Sequence, residues 1–213
     1  MISAYDKTYL PQARETLGAL MDYAVWDCKI KADEFFALFV TSGLADRFGR
    51  GDPKLVAGKS GVELAWDVLS ATQYRANPPK PRYNMNRSRA YWVGWALAHC
   101  QWATSIPFRM LTRSLPPSRF EGLYSPYHER DAHALVEKIV ELYRAARTES
   151  NLKIQRQFRG LSQSELAERT NVPLRTLQQY EQRQKDILKA NVAYVVSLAH
   201  VLGCSIEDIL EYV

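Results

Sequence analysis

Apolar residues recur at three- and four-residue spacing along most of this chain, and no alternating run long enough for a convincing strand appears. The spacing predicts a first helix over 10–28, with Leu17, Leu20, Met21, Ala24, Val25 and Cys28 on its apolar side. A second, over 32–48, opens on Asp33 and Glu34, which suit the positive end of a helix dipole. It carries Phe35, Phe36, Leu38, Phe39 and Leu44, and the Gly- and Pro-containing stretch 49–53 ends it in a turn. A third helix is expected over 61–73, before the proline-rich break at 77–81. The stretch 88–104 holds Tyr91, Trp92, Trp95, Leu97 and Trp102 and is apolar nearly all the way round, as a helix buried at the centre of a domain would be. Pro107, Pro116, Pro117 and Pro126 divide the next stretch of chain into short helical turns, and a long helix is expected over 128–147. The pattern predicts an all-α protein.

The last third has more definite punctuation. Two short helical patterns within 161–181 flank a tight turn, and Leu166, Ala167, Thr170, Val172, Leu177 and Tyr180 fall where two crossing helices share a small core. Ala167 matters by its size, because a bulkier side chain would part the helices. Asn171 stands where the turn calls for positive φ, and Pro173 opens the second helix. Before this pair, 151–160 reads as a helix closed by Gly160; after it, 193–204 reads as another. A last helix is expected over 205–211, with Ser205 as N-cap and Asp208 completing a capping box.

In this order and spacing, the five patterns resemble the Xre (Cro/C1-type) family of helix-turn-helix DNA-binding domains. The resemblance implies a five-helix C-terminal domain over 148–213 and a separate N-terminal helical domain over 1–147, serving dimerisation or the sensing of a partner or ligand. It maps the clamp on the DNA backbone to Gln163, at the start of the second helix of the domain, and base reading to Leu174, Arg175 and Gln179, with Gln178 beside them. Arg175 suits guanine O6 and N7, Gln179 adenine N6 and N7, and Leu174 a thymine methyl. Thr176, Arg183, Lys185 and Lys189 are the further phosphate candidates. The family usually has Ser or Thr where Pro173 stands, so the side-chain cap of the reading helix is lost here. The first two thirds resemble, weakly, the helical segments that accompany antitoxin-like regulators of this type. The implied function is a transcriptional regulator, a repressor, bound as a homodimer to an inverted repeat in double-stranded DNA. The alternative is an antitoxin whose N-terminal domain neutralises a cognate toxin.

Charge agrees with a polyanionic partner: 28 Lys and Arg stand against 23 Asp and Glu, a net +5. Between 151 and 189, Lys153, Arg156, Arg159, Arg169, Arg175, Arg183, Lys185 and Lys189 outnumber Glu165, Glu168, Glu181 and Asp186. A second basic region spans 68–120, which lacks Asp and Glu altogether but holds Arg75, Lys80, Arg82, Arg87, Arg89, Arg109, Arg113 and Arg119. It reads as a solvated rim, as a contact surface for an acidic partner or DNA centred on Arg82, Arg87 and Arg89, or as a pocket for a phosphorylated or nucleotide ligand. Cys28, Cys100 and Cys204 are scattered and form no CxxC pair, so small buried hydrophobes are expected rather than a disulfide framework or metal site. A cytoplasmic location is expected from the lack of a leader and of any apolar run near the ~20 residues that span a bilayer.

Catalytic readings fail on spacing. Lys59 and Ser60 follow Gly58 as in a phosphate-binding loop, but the glycine required five positions earlier is Pro53. His128 and His133 lie five apart, on different helix faces, and cannot chelate one metal as an i, i+4 pair would. His99 is expected as a satisfied core histidine and His200 as a packing or surface residue. No catalytic set, metal or cofactor is expected.

Overall fold

The computed structural model describes residues 3–74, 77–82 and 87–212. Among these every regular element is helical, and the chain divides into two compact units, Met1–Ala146 and Arg147–Val213. No helix among the described residues is long and apolar enough to cross a membrane.

The N-terminal unit is built on α1 (Leu10–Trp26) and α6 (Arg89–Thr104), which pack on each other more extensively than any other pair of elements. Glycine allows that closeness. A Cβ on Gly94 of α6 would lie 2.9 Å from the Cα of Gly18 and against the Leu17 carbonyl. As its all-round apolar pattern implies, α6 is enclosed, with Val93, Ala96, Leu97, Ala98 and Cys100 at 0–1% exposure. Burial also raises the pKa of the Cys100 thiol, which stays protonated. Around this pair lie α2 (Ala32–Thr41), α3 (Leu44–Gly49), α4 (Pro53–Val56) and α5 (Gly61–Ala71). After α6 come α7 (Phe108–Ser114), α8 (Pro117–Gly122), α9 (Tyr124–Tyr127) and α10 (Ala132–Ala145). Phe36, Phe39, Phe48 and Phe108 pack tilted or edge-to-face, with centroids 5.5–6.2 Å apart, and join α2, α3 and α7.

Several expectations need correction. The helix expected over 32–48 is two, because Gly43 takes φ +75° between them. Ser42 fixes the break: its hydroxyl donates to the Phe39 carbonyl at 2.7 Å and accepts from the Leu44 amide at 3.2 Å. The long helix expected over 128–147 begins only at Ala132, where Asp131 caps it through the His133 amide at 3.1 Å. His99 is packed but not satisfied. Its ring stacks on Trp95 at 5.5 Å, while its buried Nδ1 has no hydrogen-bond partner. Burial, aided by Arg14, pushes its pKa down to about 4, so the ring is neutral at pH 7.

The C-terminal unit holds α11 (Asn151–Phe158), α12 (Gln163–Thr170), α13 (Leu174–Glu181) and α14 (Val192–Leu202) around a single small core. The expected last helix over 205–211 is a single 3₁₀ turn, Ile206–Asp208. Asp208 does hold the Ser205 amide and hydroxyl, at 3.0 and 2.7 Å. Beyond it the chain serves α11 instead: the Glu211 carboxylate accepts from the Asn151 amide at 2.6 Å, and the Leu210 carbonyl accepts from the Asn151 side chain.

Candidate nucleic-acid interface

The interface begins with the turn between α12 and α13. Ser162 caps α12 in a capping box: its hydroxyl accepts from the Glu165 amide at 3.2 Å, and Glu165 accepts from the Ser162 amide at 2.7 Å. Donation from Ser162, its backbone amide first, holds the Glu165 carboxyl below its ordinary pKa. The helix ends at Asn171, whose φ of 54° and ψ of 24° are the left-handed values expected of it. Pro173 is the N-cap of α13 rather than its first helical residue, and α13 opens without a side-chain cap. Its first amides are therefore left to solvent or to a ligand. All six residues expected in the shared core, Leu166, Ala167, Thr170, Val172, Leu177 and Tyr180, are buried.

Burial of one side of α13 by Leu177, Tyr180 and Glu181 turns the other side outward. Leu174 is 40% exposed and Arg175 is exposed, while Thr176, Gln178 and Gln179 are half-buried. The pairs Leu174 with Gln178 and Arg175 with Gln179 are each one turn apart, so these four side chains form two adjacent rows on one face.

Behind that face lies a polar network whose pairing periodicity could not reveal. The Arg156 guanidinium donates to both oxygens of Glu181, at 2.6 and 3.0 Å, and to the Leu161 carbonyl at 2.7 Å. The two side chains are only 10% and 1% exposed. Pairing with Glu181 raises the pKa of Arg156 further still. Gln163 joins from α12, donating to Glu181 at 2.7 Å and accepting from Gln178 at 3.4 Å. The side chain mapped to the backbone clamp is thus held in place by a buried carboxylate. A local signal for Arg156 did exist: it lies one turn beyond Leu152, on the buried side of α11.

The basic excess between 151 and 189 is correspondingly smaller at the surface. Arg156 is buried, and Arg159 donates to the Leu202 and Gly203 carbonyls that end α14. Lys153 pairs with Glu149 at 2.7 Å. Arg183, expected on phosphate, donates to the carbonyls of Arg147 and Glu149 at 3.1 and 2.8 Å and lies 3.5 Å from Glu211. Lys189 sits 3.9 Å from Asp186, whereas Arg169, Arg175 and Lys185 have no ion-pair partner among the described residues.

In the N-terminal unit, Arg82, Arg87 and Arg89 meet different surroundings. The Arg82 backbone donates to Asp27 at 2.9 Å, Arg87 lies over the Tyr91 ring at 4.4 Å, and Arg89 lies over Tyr124 at 5.3 Å. The acid-free stretch finds its carboxylates elsewhere: Asp46 holds Arg109 at 2.7 Å, and Asp33 accepts from the Ser118 amide at 2.8 Å. Arg75 lies outside the described residues.

A family model described as "Helix-turn-helix" matches residues 152–209, the span of these four helices and the closing turn. Comparison with curated proteins and with solved structures found no match. The order of helices, the left-handed Asn171 and the family match agree, and the C-terminal third of this chain is a helix-turn-helix domain of the Xre (Cro/C1) type.

Proposed function

We propose that this chain is a sequence-specific transcriptional regulator, a repressor, that binds an inverted repeat in duplex DNA as a homodimer. The observation that carries the reading is the outward face of α13. It presents Leu174, Arg175, Gln178 and Gln179 from a helix whose other side is sealed by core contacts and the Arg156–Glu181 pair. A helix of that diameter fits the major groove, where Arg175 pairs with a guanine edge and Gln179 with an adenine edge. Gln163, oriented by Glu181, and the uncapped amides of α13 fix the register on phosphates, with Thr176, Lys185 and Lys189 adding grip. Eight residues of reading helix cover only a few base pairs, so a second copy one DNA turn away supplies the remaining specificity. Supporting the dimer is an apolar strip on α14, where Val192 and Val196 lie one turn apart, 74% and 48% exposed.

The test is selection of random duplexes by the full-length protein, then titration of the selected site against random DNA. An inverted repeat is expected, and Arg175→Ala should cost about 1–3 kcal/mol on that repeat while relaxing preference at one base pair per half-site. Equal loss on selected and random DNA would remove Arg175 from base reading and leave it on phosphate. Recovery of no motif would overturn the proposal.

A further inference from the structure

Beyond the DNA-binding unit, the N-terminal unit contains a hollow of about 290 Å³ between the first half of α6, α9 and the start of α10. Its walls are mainly aromatic, with Trp92 and Trp95 from α6 and Tyr124 and Tyr127 from α9, all four only partly buried. Two exposed arginines, Arg87 and Arg130, stand among them; among the described residues no Asp or Glu lines the hollow, and the nearest carboxylate behind its wall, Asp22, is taken up by the Ser88 hydroxyl. Among the described residues neither arginine has a carboxylate within ion-pairing distance. The nearest acids along the chain are engaged: Glu129 lies 3.3 Å from the His128 ring, and Asp131 caps α10.

From these observations we infer that the hollow binds a small aromatic anion, of one or two fused rings and bearing a carboxylate or a phosphate. The size argues for it, because about 290 Å³ is at the small end of ligand pockets and leaves no room for a dinucleotide. The walls argue for a planar body. Trp92 meets Tyr124 edge-on at 5.4 Å, and the Tyr124 ring is itself held by His128, stacked at 4.4 Å, and by Arg89 at 5.3 Å, so ring contacts fix the slot before anything enters it. Charge argues for the anion. Arg87 rests on the Tyr91 face at 4.4 Å and Arg130 near the Tyr127 face at 5.7 Å, which leaves their N–H edges free to grip oxygens in a fork. A cationic ligand would be repelled by the same two groups, and a neutral aliphatic one would leave them unpaired. The inference stands independently of the DNA-binding proposal.

The experiment is calorimetric titration of the full-length protein, without DNA, using 1-naphthoate and 1-naphthyl phosphate as probes. The neutral isostere 1-naphthamide and inorganic phosphate serve as controls. Saturable one-to-one binding of at least one anionic probe is expected, and the stronger of the two identifies carboxylate or phosphate as the preferred group. The amide should bind at least about tenfold more weakly, and Arg87→Gln with Arg130→Gln should weaken the anion by a similar factor. Both arginines are exposed, so the double variant should keep the parental melting temperature, which circular dichroism would verify. No saturable binding of either anion would overturn the inference. So would equal affinity for the amide, binding unchanged in a folded double variant, or inorganic phosphate binding as well as the naphthyl ester.

Discussion

At the scale of single residues, the Arg156–Glu181 pair contributes most to the site without facing it. Its two side chains are nearly excluded from water, and an ion pair in that setting is costly to break from one side. Glu181→Gln keeps the shape of the side chain but leaves the Arg156 guanidinium buried without a counter-charge. We expect a loss of about 3–5 kcal/mol, read from urea unfolding of the full-length chain by a probe in the C-terminal unit. Adding Arg156→Met should restore part of that loss, because the stranded charge is then gone; strict additivity of the two substitutions would refute a coupled pair. Local reasoning finds Asn171 and Ala167 because a tight turn and a close crossing constrain residue type at the position itself. It counts Arg156 among the surface cations and Glu181 among the surface acids: the one-turn spacing from Leu152 turns Arg156 inward, but nothing local names a partner 25 residues away.

At the scale of elements, close helix approach decides the N-terminal unit. Ala is ordinarily a better helix former than Gly by about 1 kcal/mol. At Gly94 that gain is lost to collision, because a methyl group would lie 2.7 Å from the Leu17 carbonyl carbon and 2.9 Å from the Gly18 Cα, both backbone atoms that cannot swing aside. Gly94→Ala should therefore destabilise the unit by about 1–3 kcal/mol, while Gly122→Ala, with nothing within 4 Å of its new methyl, should be neutral or slightly stabilising. Thermal melts of the two variants check the contrast, and equal shifts would mean that α1 and α6 are not in backbone contact. The long apolar runs make α1, α5 and α6 legible, to within a few residues at their ends. The break between α2 and α3 is not, because Ser42 and Gly43 interrupt a helical pattern that continues on both sides. The last helix reads too long for the opposite reason: its capping box forms, but Leu210 and Glu211 hydrogen-bond to Asn151 instead of extending the turn.

At the scale of the whole molecule, the positive charge is not concentrated in the helix-turn-helix unit. Residues 147–213 carry nine Lys and Arg against eight Asp and Glu, a net +1, while residues 1–146 carry nineteen against fifteen, a net +4. The richer excess between 151 and 189 stops short of Glu207, Asp208 and Glu211, which bring the balance down. Within this unit Arg147, Lys153, Arg156, Arg159 and Arg183 are bound to neighbouring carboxylates or carbonyls. On the proposed reading, Arg169, Lys185 and Lys189 remain for phosphate, beside Arg175 on the bases. Two or three cations per protomer would give the proposed dimer about four to six neutralised phosphates, and a plot of log affinity against log salt should then fall with a slope of about −4 to −5. Lys185→Ala with Lys189→Ala should flatten that slope by about 3 to 4, because a dimer then releases about four fewer counterions. Fluorescence anisotropy on the selected site across a salt series measures both. A slope of about −8 or steeper would bring cations of the N-terminal unit onto the DNA as well, and about −2 would mean that one protomer binds alone.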